Sequence, residues 1–292
     1  MNTPLDPELE SALREWQKWP IVSEPGVIKQ FDAGLNHKTA LLKTANRFLV
    51  LKSFAAVADK ALAAQRWAAE IGISPSIIFE SVEANYCLME YVGVRSLAEC
   101  TINDRDLQAL ALSLQAMHCT PADSIAKQTG EFDIFYWCNQ YLPAAGSRAM
   151  LIHQALRAIL NAYAADSTAR CFCHNDLVAE NCFIKDGRAL FIDWEFAQWH
   201  NPWFDLASIV YYLHLDAEQS SLFLRAYQPG WEEKMLNTVF FSSQIALLWG
   251  DMLWHLAKYS ESFWSELAAK MSDLRYLARQ LDTELPDLSA TN

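Results

Sequence analysis

Apolar residues recur at helical spacing near the start of the chain, at Leu9, Leu13 and Trp16, and predict a helix over 5–19 that Pro20 stops. The pattern then becomes that of strands from Val27 to Phe54. Segments 39–43 and 47–51 flank a Thr44-Ala45-Asn46 turn, with Phe48, Val50 and Lys52 on one side of the second strand. An alanine-rich stretch over 55–71 predicts a helix, and 76–82 and 86–92 predict two further strands turned at Glu83-Ala84-Asn85. From Thr101 the period is helical. Leu107, Leu110, Leu114 and Met117 mark one face, and helices are predicted over 132–142, 148–165, 204–215, 217–227, 231–259 and 261–281. One stretch interrupts this run. Cys171-Phe172-Cys173 and 182–185 are short apolar runs that predict buried strands, and Asp186-Gly187 predicts a hairpin turn into 189–192. Strands first and helices afterwards predict an α+β fold: a small antiparallel sheet over 1–92, then a mostly helical part over 93–292.

Composition narrows the class. A chain of 292 residues that is 52% hydrophobic can bury a substantial core, and no stretch is long and apolar enough to cross a membrane. The first residues lack the basic and apolar regions of a signal peptide. Seven cysteines, an odd number without framework spacing, predict a reducing, cytoplasmic setting. The net charge of −12 argues against nucleic acid or an anionic membrane as partner and is compatible with a cationic small molecule.

The interrupting stretch carries the candidate chemistry. His174-Asn175-Asp176 is followed by Asn181, and the apolar run Ala189-Leu190-Phe191-Ile192 ends in Asp193. The loop from His174 to Asn181 is held by strands at both ends, a layout that can bring Asp176, Asn181 and Asp193 to one mouth. Phosphoryl transfer needs such a set: two oxygen ligands for Mg²⁺ on nucleotide phosphates and a carboxylate that accepts the proton of the acceptor hydroxyl. Cys171 and Cys173 alternate onto one strand face with no second ligand pair at zinc spacing, so core packing is the expectation for them.

The pieces His-Asn-Asp with Asn181, Ile192-Asp193-Trp194-Glu195-Phe196 and Pro202-Trp203-Phe204-Asp205-Leu206-Ala207 fall in order within one short stretch. Together they resemble the aminoglycoside phosphotransferase / choline kinase superfamily, and within it the choline, ethanolamine and thiamine kinase branch. The resemblance implies a two-lobe, protein-kinase-like fold with a nucleotide-binding lobe over 1–92 and the catalytic loop and acceptor site in 93–292. It implies ATP- and Mg²⁺-dependent phosphorylation of a hydroxyl on a small cationic molecule. Asp176 would be the base and Asn181 and Asp193 the metal ligands. Lys52, Asn36, Glu90 and Val92 would meet the nucleotide, Lys52 through phosphate and the 89–93 hinge through its backbone. His174 and Asp205 would support the loop, Asp205 alternatively as a helix N-cap. The match departs in two places: the 34–39 loop has one glycine, and the helix over 55–71 lacks the Glu that usually pairs with the lysine, leaving Asp59, Gln65 or Glu70 as substitutes.

The chain also has 11 Trp. Trp194, Trp199 and Trp203 follow the metal Asp, and Trp249 and Trp254 share a late helix with Asp251 and His255. Aromatic faces with carboxylates, here Glu195 and Asp251, suit a quaternary ammonium or thiazolium. Two other readings stand beside this one. An antibiotic kinase would have a wide acidic cleft instead of a cage. A non-catalytic nucleotide- or ligand-binding module would account for the missing Glu and the degenerate loop.

Overall fold

The structure, a computed structural model, describes residues 4–31, 37–56, 58–83, 85–233, 238–259 and 261–287. They form two compact units, Met1–Thr129 with Ala179–Ala197, and Gly130–Val178 with Gln198–Asn292. Each is described by itself.

The first unit is built on a five-stranded antiparallel sheet. Its strands are β1 (Gly26–Phe31), β2 (His37–Lys43), β3 (Phe48–Phe54), β4 (Ile77–Ser81) and β5 (Tyr86–Glu90), in the order β1-β2-β3-β5-β4. Alternation along β3 explains its two faces. Leu49 and Leu51 enter a core with Leu9, Trp19, Ala40, Leu42 and Leu88, which helix α1 (Pro7–Leu13) helps to close. Phe54 and Val50 join Leu62 of helix α2 (Asp59–Glu70), with Cys87 and Met89, on the other. Lys52 lies inside β3, opposite Thr39 and Cys87. The helix expected over 5–19 is shorter: α1 is capped by Asp6 and ends at Leu13, and a 3-10 turn covers Trp16–Lys18. Helix α3 (Asp104–Cys119) starts on an Asn103/Asp106 capping box, and α4 (Asp123–Thr129), not expected from the pattern, follows it. The hairpin of β7 (Cys182–Lys185) and β8 (Arg188–Phe191) turns through Asp186 and Gly187, with φ of 50° and 75°. Positive φ at both turn positions matches the twist of the flanking strands. The hairpin is fastened to this unit by the hydrogen bonds Phe191 N to Ile73 O, 2.8 Å, and Ala189 N to Ser113 Oγ, 3.1 Å.

The second unit is mostly helical. Helix α5 (Ile134–Ala164) is interrupted at Gly146, whose φ of 88° no L-residue adopts comfortably, just after Pro143. This is the gap between the two helices that the periodicity predicts. Helices α6 (Pro202–Tyr212), α7 (Ala217–Tyr227), α8 (Thr238–Tyr259) and α9 (Ala268–Arg279) complete it. Residues 234–237 of the helix expected over 231–259 lie outside the described residues. Ile152, Leu156 and Leu160 of α5, Leu248, Met252 and Leu256 of α8, and Leu274 of α9 form one core. Strand β6 (Cys171–Cys173) pairs antiparallel with a strand that the pattern did not predict, β9 (Gln198–His200). Among the described residues no helix is long and apolar enough to cross a membrane.

Candidate active site

In the first unit, the Lys52 amine lies 2.8 Å from Asp193 Oδ1. Lys52 is only 13% exposed, and an ammonium taken that far from water needs a counter-charge. Asp193 follows β8 in the left-handed region, φ 67°, and opens a 3-10 turn over Trp194–Phe196. That conformation costs an Asp about 1–2 kcal/mol, so something must enforce it. Trp194 does so: its Nε1 donates to Ser74 Oγ at 3.1 Å and to Phe191 O at 3.2 Å, and its ring is buried. Asn181, nearly buried, ends a turn over Ala179–Asn181, and its carbonyl accepts from Ile192 N at 3.1 Å, the residue before Asp193. The hairpin thus returns the chain from Asn181 to Asp193.

The partner of Lys52, which the sequence leaves open, lies outside α2. Gln65 turns inward and donates to Pro75 O at 3.2 Å, while Asp59 and Glu70 are exposed. Asp193 itself is the counter-ion. A second pair joins the same turn to the start of β2, with His37 Nε2 2.7 Å from Glu195 Oε2. The N–H of Glu90 donates to Ser76 O at 3.0 Å, and Val92 is buried. Asn36 lies outside the described residues, and residues 37–39 of the expected loop belong to β2.

In the second unit, buried Asp205 accepts two backbone hydrogen bonds, from His174 N and Asn175 N, each 2.8 Å. It is not the cap of α6. Asn201 is, accepting from Trp203 N with Pro202 at the first helical position. His174 is fully buried, and its Nδ1 accepts from Asp176 N at 3.3 Å. Asp176 itself is half-buried.

Sequence reasoning missed two residues that shape this loop. His200 Nδ1 is 2.6 Å from Asn175 Oδ1, and His200 Nε2 is 2.6 Å from the Tyr163 hydroxyl. An amide oxygen only accepts, so Nδ1 carries the proton and Nε2 accepts from Tyr163. The chain Tyr163–His200–Asn175 thereby braces Asn175, whose φ of 64° is again left-handed. No motif marks a lone His in a three-residue strand, so only the pairing of β9 with β6 reveals it. Burial pushes the His200 ring down to about 3, against the pull of Asp205, so it stays neutral. From its ordinary 6.5 down to about 3 the unfolded chain takes up the proton that the folded ring refuses, so stability falls as pH is lowered through that window. Tyr163→Phe orphans the buried Nε2, with an expected loss of about 1–3 kcal/mol in urea unfolding. Unchanged stability would show that the relay does not brace the loop.

The model of the phosphotransferase enzyme family matches residues 27–236. The chain belongs to this family. Among solved structures, this phosphotransferase is similar to a choline/ethanolamine kinase family protein from Mesorhizobium loti, with a TM-score of 0.72 and 16% identity over 93% of this chain and 95% of that one. It is also similar to choline kinase LicA from Streptococcus pneumoniae, with a TM-score of 0.69 and 19% identity over 94% and 99%. Such likeness shows a shared kinase-like fold. Protein LicA of Haemophilus influenzae is 46% identical over 55 residues, 19% of this chain and about a fifth (21%) of that protein.

The aromatic residues of this phosphotransferase are placed less favourably for a cation than their spacing suggests. Trp194 and Trp249 are fully buried, so protein covers their faces. The Nε1 of Trp249 donates to His153 Nδ1 at 3.1 Å, and Trp203 is buried in a stack on Trp231. Asp251 is engaged by Lys270 and, at 3.2 Å, by His255. Burial pushes its carboxyl upward, but the His255 hydrogen bond and the Lys270 charge hold it below the usual carboxylate range. The Lys258 amine sits 4.8 Å from the Trp254 ring centre. Trp249 and Asp251 therefore do not offer a cage. Trp199 and Glu195 remain half-buried.

Proposed function

We propose that this chain is an ATP- and Mg²⁺-dependent kinase that phosphorylates a hydroxyl of a small cationic alcohol of the choline, ethanolamine or thiamine type. The observation that carries the phosphotransfer reading is the 2.8 Å contact between Lys52 and Asp193. It joins an ammonium suited to phosphate oxygens to a carboxylate suited to a hard cation. The Asp193 carboxylate and the Asn181 side-chain oxygen are the hard donors that Mg²⁺ takes, and the ion would neutralise charge on the nucleotide phosphates. Lys52 grips phosphate oxygens. Asp176 orients the acceptor hydroxyl and accepts its proton, and His174 and Asp205 hold its loop. The backbone of 89–93, including Glu90 and Val92, receives the base of the nucleotide.

Two things support a cationic acceptor: the net charge of −12, and the names of similar proteins, a choline kinase and a choline/ethanolamine kinase family protein. Trp199 is the residue proposed for its positive group. The seven cysteines, none of them in a disulfide, support a cytoplasmic setting. One cation–π contact is worth about 0.5–2 kcal/mol, so choline should exceed its neutral isostere 3,3-dimethylbutanol in kcat/KM by up to about 30-fold. Equal values for the two would remove the cationic assignment. The solved structures also include a spectinomycin phosphotransferase, with a TM-score of 0.65 at 12% identity over 94% of this chain and 93% of that one. Turnover of spectinomycin but of no amino alcohol would establish the antibiotic-kinase reading instead. MgATP binding without turnover of any acceptor would establish the non-catalytic module.

A further inference from the structure

His37 opens β2, and its ring meets Phe54 edge-on at 5.0 Å. Its Nε2 stands 2.7 Å from Glu195 Oε2. Its Nδ1 is buried and has no hydrogen-bond partner among the described residues, and the Glu195 carboxylate only accepts, so Nε2 carries the proton in this pair while nothing described holds Nδ1. Nε2 can present either a proton to Glu195 or a lone pair to a cation. Asp193 completes the group: one donor atom from each of His37, Asp193 and Glu195 lies within 4.8 Å of the others. The side chains are partly withdrawn from water, at 14%, 31% and 25% exposed, so they are not a solvated acidic face. Ligand atoms each about 2.1 Å from one ion stand about 3 Å apart. The spacing of His37 and Glu195 is already close to that of neighbouring ligands.

We infer that His37, Asp193 and Glu195 form a divalent-cation seat with one imidazole nitrogen, which takes Mn²⁺ or Co²⁺ in preference to Mg²⁺. Mg²⁺ favours an octahedron of oxygens, whereas an imidazole raises affinity along the order from Mn²⁺ to Co²⁺ and beyond. The seat shares Asp193 with the Mg²⁺ ligands proposed above, and it rests on that reading for its part in catalysis. It also competes with Lys52 for Asp193, so filling it releases the lysine amine for phosphate.

The test uses the nucleotide-free protein. Mn²⁺ is titrated in and the free ion followed by electron paramagnetic resonance, with Co²⁺ followed by its visible absorption, which responds to nitrogen ligation. His37→Gln should weaken Mn²⁺ and Co²⁺ by at least about 10-fold, since even partners one step removed from a metal are worth about 10–100-fold. Mg²⁺, measured by competition, should change less. Glu195→Gln should weaken Mn²⁺ as well, and Lys52→Met should tighten it. Circular dichroism and thermal melting of each variant separate lost ligation from lost folding. Equal Mn²⁺ affinity in wild type and His37→Gln, or no binding by the wild type, overturns the inference and leaves His37–Glu195 as an ion pair only. Because no nucleotide or acceptor is present, a protein that phosphorylates no alcohol still passes or fails this test. Lost turnover with Mn²⁺ binding intact counts only against the kinase reading.

Discussion

Asp176→Asn is expected to lower kcat by about 10²–10⁴-fold, the usual range for removing a general base, with nucleotide affinity little changed. The side chain keeps its shape and loses its capacity to accept a proton. The substitution leaves in place the backbone bonds by which Asp205 holds His174 and Asn175 and by which His174 holds Asp176. A fall in kcat at constant KM for ATP, in steady-state assays with the best acceptor, is the result that fits. Near-normal turnover would take Asp176 out of the chemistry.

Asp193→Ala is expected to abolish Mg²⁺-dependent ATP binding. A metal ligand stabilises the charge of bound phosphates by several kcal/mol, which at about 1.4 kcal/mol per decade exceeds about 10²-fold in affinity. The structure adds a second consequence. Removing the carboxylate strips Lys52, 13% exposed, of its counter-ion, so some stability goes with it. Asp193→Asn keeps a polar group beside the lysine and separates the two effects: folding should recover more than metal-dependent binding does. Calorimetric titration of MgATP into both variants, beside their thermal midpoints, reads this out. An unchanged titration in Asp193→Ala would remove the residue from the metal site.

Local pattern carried much of the fold. Alternation marked β2 and β3, helical spacing marked α3 and α7, and Asp186-Gly187 marked the hairpin that ends in Asp193. These features depend on neighbours a few residues apart, and such neighbours are adjacent in any sequence. The loop carrying Asp176 and the strand carrying Lys52 were legible for the same reason. What pairs with them was not. Lys52 and Asp193 lie 141 positions apart, His37 and Glu195 158, and Tyr163 and His200 37. No periodicity links positions so distant. The counter-ion of Lys52 therefore comes not from the neighbouring α2 but from Asp193, which the motif marks for another role, as a metal ligand. The tryptophans show the converse. Their number and their neighbouring carboxylates were plain, but whether a ring is covered depends on which elements pack over it. Packing placed Trp194 and Trp249 in the interior and paired Asp251 with Lys270. A carboxylate in a sequence is a charge without an address. Only the tertiary structure decides whether that charge faces a ligand or is already matched by a lysine brought in from another helix.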